Sequence, residues 1–215
     1  MKTRNIEITI NEAKEWYNSN NDSLKRIALK AFREEELKHE EWYNIKSFGD
    51  ACRALDIPYS DAIKVFESTS YIGKASIAMF KLNIIRRALN LGYDLHLTED
   101  SDDYLYYPRN PFVTKDSTYF ESDINSGSMQ VIGRIKDEKF SYNVLGGKAY
   151  ASNKMNLGDF DSYNGVGHAS PVTGFLGCAT IEIAEHFSKY FGMLITEAKY
   201  GDLPYFEIIG NKYPD

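Results

Sequence analysis

Residues 71–92 read YIGKASIAMFKLNIIRRALNLG, and this stretch decides the fold class. Ala75, Ala78, Met79, Leu82, Ile85 and Leu89 recur at three- and four-residue spacing, which puts them on one stripe of an α-helix. Gly92 stands where a left-handed residue would end that helix. Lys81, Arg86 and Arg87 fall on the other side or near its negative C-terminus. Beyond Gly92 the texture changes. Tyr104 to Tyr107, Ser117 to Phe120, Met129 to Ile135 and Lys139 to Leu145 are short segments rich in β-branched and aromatic residues, the signature of strands. Lys136, Asp137 and Glu138 read as a hairpin connection between the last two.

Upstream, the reading is helical throughout. Thr9 and Glu12 have the spacing of a capping box, opening a helix that includes Trp16 and Tyr17 and ends at residues 18–21. A second helix begins near Asp22 or Ser23 and sets Leu24, Ile27, Ala28 and Ala31 on one face. Glu34, Glu35 and Glu36 suit either a positive helix start or a solvated face. Ser47 opens another helix, and Pro58 interrupts before Ser60 and Asp61 open the next.

Downstream, residues 146–177 hold seven of the 15 glycines, so a Gly-rich insertion is expected over about 146–174. Phe175 to Ala179 reads as a buried strand. Thr180 then caps a helix whose apolar face is Ile183, Ala184, Phe187, Phe191, Leu194 and Ile195, with Glu182 and Glu185 in its first turns. Tyr205 to Ile209 adds a closing strand. The expected fold is α+β: a helical region over 1–70, then an α+β domain over 71–215. In that domain a mainly antiparallel sheet packs against two long helices, 71–91 and 180–198.

Composition bounds the function. The chain has 215 residues, 43% apolar and 26% charged, with a formal net charge of −6. Those fractions belong to ordinary globular proteins rather than collagen-like, disordered or disulfide-framework chains. No apolar run approaches the ~20 residues of a membrane-spanning helix, and the first residues lack the apolar core of a secretory signal. A soluble, intracellular protein without membrane partners is therefore expected. Residues 1–92 carry 15 Lys/Arg against 13 Asp/Glu, whereas 93–215 carry 10 against 18. A duplex nucleic-acid binder concentrates cations on one face, so the acidic second part argues against that class. Cys52 and Cys178 have no CxxC partner and read as buried thiols in a reducing compartment.

Motifs for catalysis are sparse. His39, His96, His168 and His186 form no HxH, HExxH or HxxxH pair, so neither a metal nor another cofactor is expected. His186 sits beside an apolar stripe, where a packed, hydrogen-bonded imidazole is the ordinary role. His168 lies among glycines that could bring it to a ligand. Cys178 precedes a helix whose N-terminus could lower its thiol pKa, although burial on a strand is the commoner fate. Gly146, Gly147 and Lys148 lack the frame of a phosphate-binding loop, and Asp100, Asp102 and Asp103 lack that of an EF-hand.

Tyrosine stands out. Eight of the 16 lie between residues 93 and 163. A phenol offers a flat apolar face with a hydroxyl, suiting flat ligands and protein interfaces alike. Arg109, Arg134, Lys136, Lys148 and Lys154 are the cations interleaved there, and a nucleotide-like ligand needs a stacking face plus such donors. The candidate binding residues are Tyr104, Tyr106, Tyr107, Arg109, Tyr119, Arg134, Tyr142, Lys148, Tyr150 and His168. The competing role for these tyrosines is packing, since half-buried strands favour Tyr anyway.

Three stretches also carry a resemblance. Ile8 to Tyr17 leads into Leu24 to Phe32; Lys81 to Asn90 precedes Tyr106, Tyr107 and Pro108; Gly177 to Phe187 closes the set. As an ordered set, covering about half the chain, they resemble a family of uncharacterised proteins encoded by phages and prophages of gut Bacteroidales. The resemblance implies a phage-related accessory protein acting in the host cytoplasm or packaged in a virion, and it transfers no catalytic residue. Three functions follow as expectations. The first is a non-enzymatic protein that captures a small nucleotide-like ligand, sequestering a host immune signal. The second is a structural protein with a Tyr-rich interface, which predicts a homo-oligomer. The third is an enzyme in which His168, Cys178 and loop acids converge.

Overall fold

The computed structural model describes residues 8–19, 21–33, 37, 42–67, 72–91, 93, 104–153 and 176–214. Thr9 caps α1 (Ile10–Asn18) through the reciprocal box with Glu12, and Asn21 caps α2 (Asp22–Ala31) by accepting from the Ser23 and Leu24 amides. These two helices share a small core of Ala13, Ala28 and Leu37, against which Trp16, Tyr17 and Phe32 pack.

A second capping box, Ser47 with Asp50, starts α3 (Phe48–Ala54). The helix ends in a Schellman motif: the Ile57 amide reaches the Cys52 carbonyl at 2.8 Å while Asp56 adopts φ 54°, a conformation usually given to Gly. After α4 (Tyr59–Glu67) comes α5 (Lys74–Leu89). The predicted stripe is correct, since Ala78, Leu82, Ile85 and Leu89 are buried, but the cap is Asn90. Gly92 lies outside the described residues. The Asn90 amide nitrogen donates to the carbonyls of Arg86 (2.8 Å) and Gly177 (3.3 Å), while its oxygen accepts from the Ala179 amide at 2.8 Å. One side chain thus closes the helix and ties the 177–179 segment to it. That segment is not the predicted strand; it makes a single antiparallel bridge, Cys178 to Tyr106.

Among the described residues six strands follow: β1 (Tyr104–Arg109), β2 (Phe112–Thr114), β3 (Gln130–Lys136), β4 (Ser141–Gly146), β5 (Lys148–Asn153) and β6 (Glu207–Asn211). β1 pairs with β5, and a four-stranded sheet runs β2-β4-β3-β6, all pairs antiparallel. Two expectations are corrected. Residues 117–120 form turns leading into the short α6 (Glu121–Asn125), because Ser117 binds back to the Thr114 carbonyl instead of a neighbouring strand. The start of the expected Gly-rich insertion is the ordered strand β5, whose residues pair with all of β1.

The two sheets are one antiparallel ribbon bent at a corner. Arg109 pairs with Lys148 and Phe112 with Val144, so Asn110 and Pro111 face Leu145, Gly146 and Gly147. The unequal count forces the bend, as a bulge does. Gly147 adopts φ +110° there, and Pro111, which lacks an N–H, still accepts from the Leu145 amide at 3.0 Å. The long helix α7 (Ile181–Tyr200), capped by Thr180, lies against both arms of the ribbon and, on another side, against α5. Its apolar stripe joins α3, α4 and α5 in the main core, onto which Tyr106 and Ala149 of the two-stranded arm also pack. The chain is thus α+β, with an N-terminal helical region, antiparallel sheets and a long covering helix. No helix among the described residues is long and apolar enough to cross a membrane.

Candidate functional site

The ribbon corner is held to α7 by Ser188, which is fully buried. Its hydroxyl donates to the Arg109 carbonyl at 2.8 Å and accepts from the Gly147 amide at 3.0 Å. The Asn110 amide nitrogen reaches the Ser188 carbonyl (2.9 Å), the Ser188 hydroxyl (3.2 Å) and the Leu145 carbonyl (3.0 Å). The break in the ladder leaves exactly such backbone groups short of strand partners, and a polar helix residue answers them. So close an approach leaves no space at two glycines. A Cβ on Gly192 would sit 2.1 Å from the Asn110 amide nitrogen, and one on Gly146 would sit 2.6 Å from the Ser188 carbonyl.

Beside this corner opens a cleft of about 670 Å³, within the size range of small-ligand sites. Its walls are the β1–β2 connection from Pro108 to Thr114, then Ser117, Tyr119 and Phe120, with Tyr142 from β4 and Tyr150 from β5. The last two turns of α7 supply Ile195, Thr196, Lys199 and Tyr200. Phe112 and Tyr200 lie 5.4 Å apart between ring centroids, and Tyr119 meets Phe120 edge-on at 4.9 Å. Among the described residues, no acid lines the cleft. Two cations line the cleft. Arg109 lies over the Phe120 ring at 5.5 Å and also feels Asp123, whose carboxyl is held below the usual range chiefly by its bond from Lys148, with Arg109 adding the smallest share. Lys199 is half-buried, has no hydrogen-bond or ion-pair partner among the described residues, and is pushed below the usual lysine range by burial.

Of the candidate binding residues, Arg109, Tyr119, Tyr142 and Tyr150 meet in this cleft. Tyr107 does not line it, but it stacks on Tyr150 across the β1–β5 pair at 5.4 Å and 25°. Burial first, then the neighbouring Tyr150 and Cys178, push the Tyr107 phenol up to about 12; Arg86 opposes the shift. Tyr106 packs on the main core, and Tyr104 faces outward. Lys148 pairs with Asp123, so its charge is answered within the protein. Arg134 lies on β3 beside a separate concavity of about 400 Å³ between β3 and β6. His168, with Lys154, His39, His96, Asp100, Asp102 and Asp103, lies outside the described residues.

Neither remaining candidate for chemistry is poised for it. Cys178 is buried, which drives its thiol up to about 12. His186 is buried against Trp42 and Tyr190, bonds the Ile45 carbonyl at 2.7 Å, and is lowered to about 4, chiefly by burial. Among the described residues no three His, Cys, Asp or Glu side chains gather as metal ligands.

Sequence reasoning missed Asn110, Phe112, Ser188, Lys199 and Tyr200. Two signals were available. The Asn-Pro pair at 110–111 marks a break in a strand. Lys199 falls four residues after Ile195 and eight after Phe191, on the apolar side of its helix, where a cation is out of place unless something meets it. No protein-family model, curated protein or solved structure matches the chain.

Proposed function

We propose that the protein is a non-enzymatic binding protein that takes a small, flat, anionic ligand of nucleotide type into the corner cleft. The observation that supports this is the composition of the walls among the described residues: aromatic faces from four elements, two cations and no acid. A ring stacks on such faces, and a negatively charged substituent meets Arg109 or Lys199 without repulsion. Given the resemblance to phage-encoded proteins, the biological role is sequestration of a nucleotide signal in the infected host's cytoplasm.

A thermal-shift panel of cyclic, linear and ADP-ribose-type nucleotides tests the reading. A ligand that binds only the folded state raises the melting temperature in a concentration-dependent way. Stabilisation by at least one member of the panel is expected, and none at millimolar concentration defeats the proposal.

A second reading rests on a different observation. Tyr119 is 82% exposed, and Tyr205, Phe140 and Leu203 are each more than half exposed. Such side chains suit a protein–protein contact in a virion or accessory assembly. That reading requires an oligomer in solution, and light scattering that gives a monomer at high concentration removes it.

A further inference from the structure

Resting on the ligand-capture reading, we infer that Lys199 is the phosphate anchor of the cleft and that the site selects nucleotides bearing a single phosphate, held inward with the ring toward the mouth. The assignment comes from asking which positive charges near the cleft are already answered. Lys148 is paired with Asp123. Arg109 is exposed, rests on the Phe120 ring and shares the field of Asp123. Lys212, just after β6, bonds Gln130 at 2.9 Å. Of the two cations lining the cleft, Lys199 is the half-buried one, and among the described residues it has no hydrogen-bond or ion-pair partner and no carboxylate whose field it shares.

A half-buried ammonium with no counter-charge among the described residues is poorly compensated, and an incoming phosphate supplies that charge. Arginine at the rim cannot play that part as well, because solvent already screens it.

Placement of the ring follows. Lys199 projects from the helix that forms one wall, whereas Tyr119, the most exposed of the lining tyrosines, stands at the opening beside Phe120. A phosphate on Lys199 therefore leaves the heterocycle among Tyr119, Phe120 and Tyr142. The charge count sets the selectivity. One unanswered cation matches one phosphate, while a triphosphate would bring two further groups into a cleft with only the half-answered Arg109 left to receive them.

The test uses the full chain and calorimetric titration at fixed ionic strength. The probes are adenosine and guanosine, their 5′-monophosphates and triphosphates, and inorganic phosphate. A monophosphate should bind about tenfold or more tighter than its nucleoside, with the triphosphate no tighter than the monophosphate. Lys199→Met should bring the monophosphate down to the affinity that the same variant shows for the nucleoside, while Lys199→Arg should retain the preference. A triphosphate that binds tighter, or inorganic phosphate that binds as well as the monophosphate, overturns the selectivity, and Lys199→Met that keeps the preference overturns the anchor. Failure of every nucleoside and nucleotide to bind defeats the capture reading itself, a different result from loss of the phosphate preference alone.

Discussion

The amide nitrogen of Asn110 donates to both the carbonyl and the hydroxyl of Ser188, at 2.9 and 3.2 Å, and this pair fixes the place where the β-ribbon bends over α7. The bend creates the cleft. Without it, β1 would run on into β2, β4 into β5, and the last two turns of α7 would be covered by a continuous ladder. A polar pair between a strand break and a helix therefore does what a loop does in other folds: it sets a concave surface on rigid elements.

Ser188→Ala should be costly for so small a change. It removes the acceptor of the Gly147 amide and the donor to the Arg109 carbonyl at a fully buried position. Leaving a buried group unsatisfied costs about 1–3 kcal/mol, which the helix preference of Ala, a few tenths, does not offset. Urea denaturation of the variant should show a lower midpoint with an unchanged slope.

Gly192→Ala tests the same contact from the steric side. In a helix interior this substitution ordinarily stabilises by about 1 kcal/mol. Here the new methyl would fall 2.1 Å from the Asn110 amide nitrogen and 2.5 Å from Ile132 Cδ1. Asn110 is held by its bonds to Ser188 and Leu145 and yields poorly, so net destabilisation of about 1–3 kcal/mol is expected. A more stable Gly192→Ala protein would show that the corner is looser than these distances imply.

The helices were legible because their signals are local. Thr9 with Glu12, Ser47 with Asp50, and Thr180 each announce a helix start within four residues. The corner was not legible, because the Asn-Pro pair at 110–111 marks a break but nothing local says what meets it, and Ser188 lies 78 residues from Asn110. For the same reason Asn90, which caps α5 and gathers the 177–179 segment 87 residues away, could be read only as a helix end displaced to Gly92. The tyrosines illustrate a subtler limit. Sequence identified the residue type but not the face: Tyr106 and Tyr107 are neighbours, yet one packs on the core and the other stacks on Tyr150. Alternation along a strand sends them apart.

His186 makes stability depend on pH. Its folded pKa, about 4, lies below the ordinary value of 6.5, so the unfolded chain binds the extra proton between those limits. Stability is full above about 6.5 and is lost as pH falls toward 4, by up to roughly 3 kcal/mol. Chemical denaturation at stepped pH should show this fall, and His186→Gln should flatten the part that belongs to the imidazole. A wild-type curve flat across that interval would contradict the burial of this ring.

Both cysteines should be unreactive in the native protein. Cys52 and Cys178 are buried, and burial raises both thiols, Cys178 to about 12. Thiolate, not thiol, is the nucleophile, so a disulfide reagent at neutral pH should label neither until denaturant is added and then label both. Rapid labelling of Cys178 in the folded state would revive the idea that the N-terminus of α7 activates it.

Asp123 connects the cleft's rim to its charge balance. It takes Lys148 into an ion pair, and it also draws on Arg109. Both Asp123 and Lys148 keep about a third of their side-chain surface exposed, so the pair itself adds little to stability. Asp123→Asn should therefore change the denaturation midpoint only slightly. Its effect on anion binding should be larger, because removal of one negative charge releases Arg109 at the mouth of the cleft. A gain on the order of twofold to threefold in affinity is expected for any nucleotide that the wild-type protein binds. The gain should shrink as salt is added, since the rim is open to solvent. An unchanged affinity at low salt would place the ligand's charge out of reach of Arg109 and leave Lys199 to act alone.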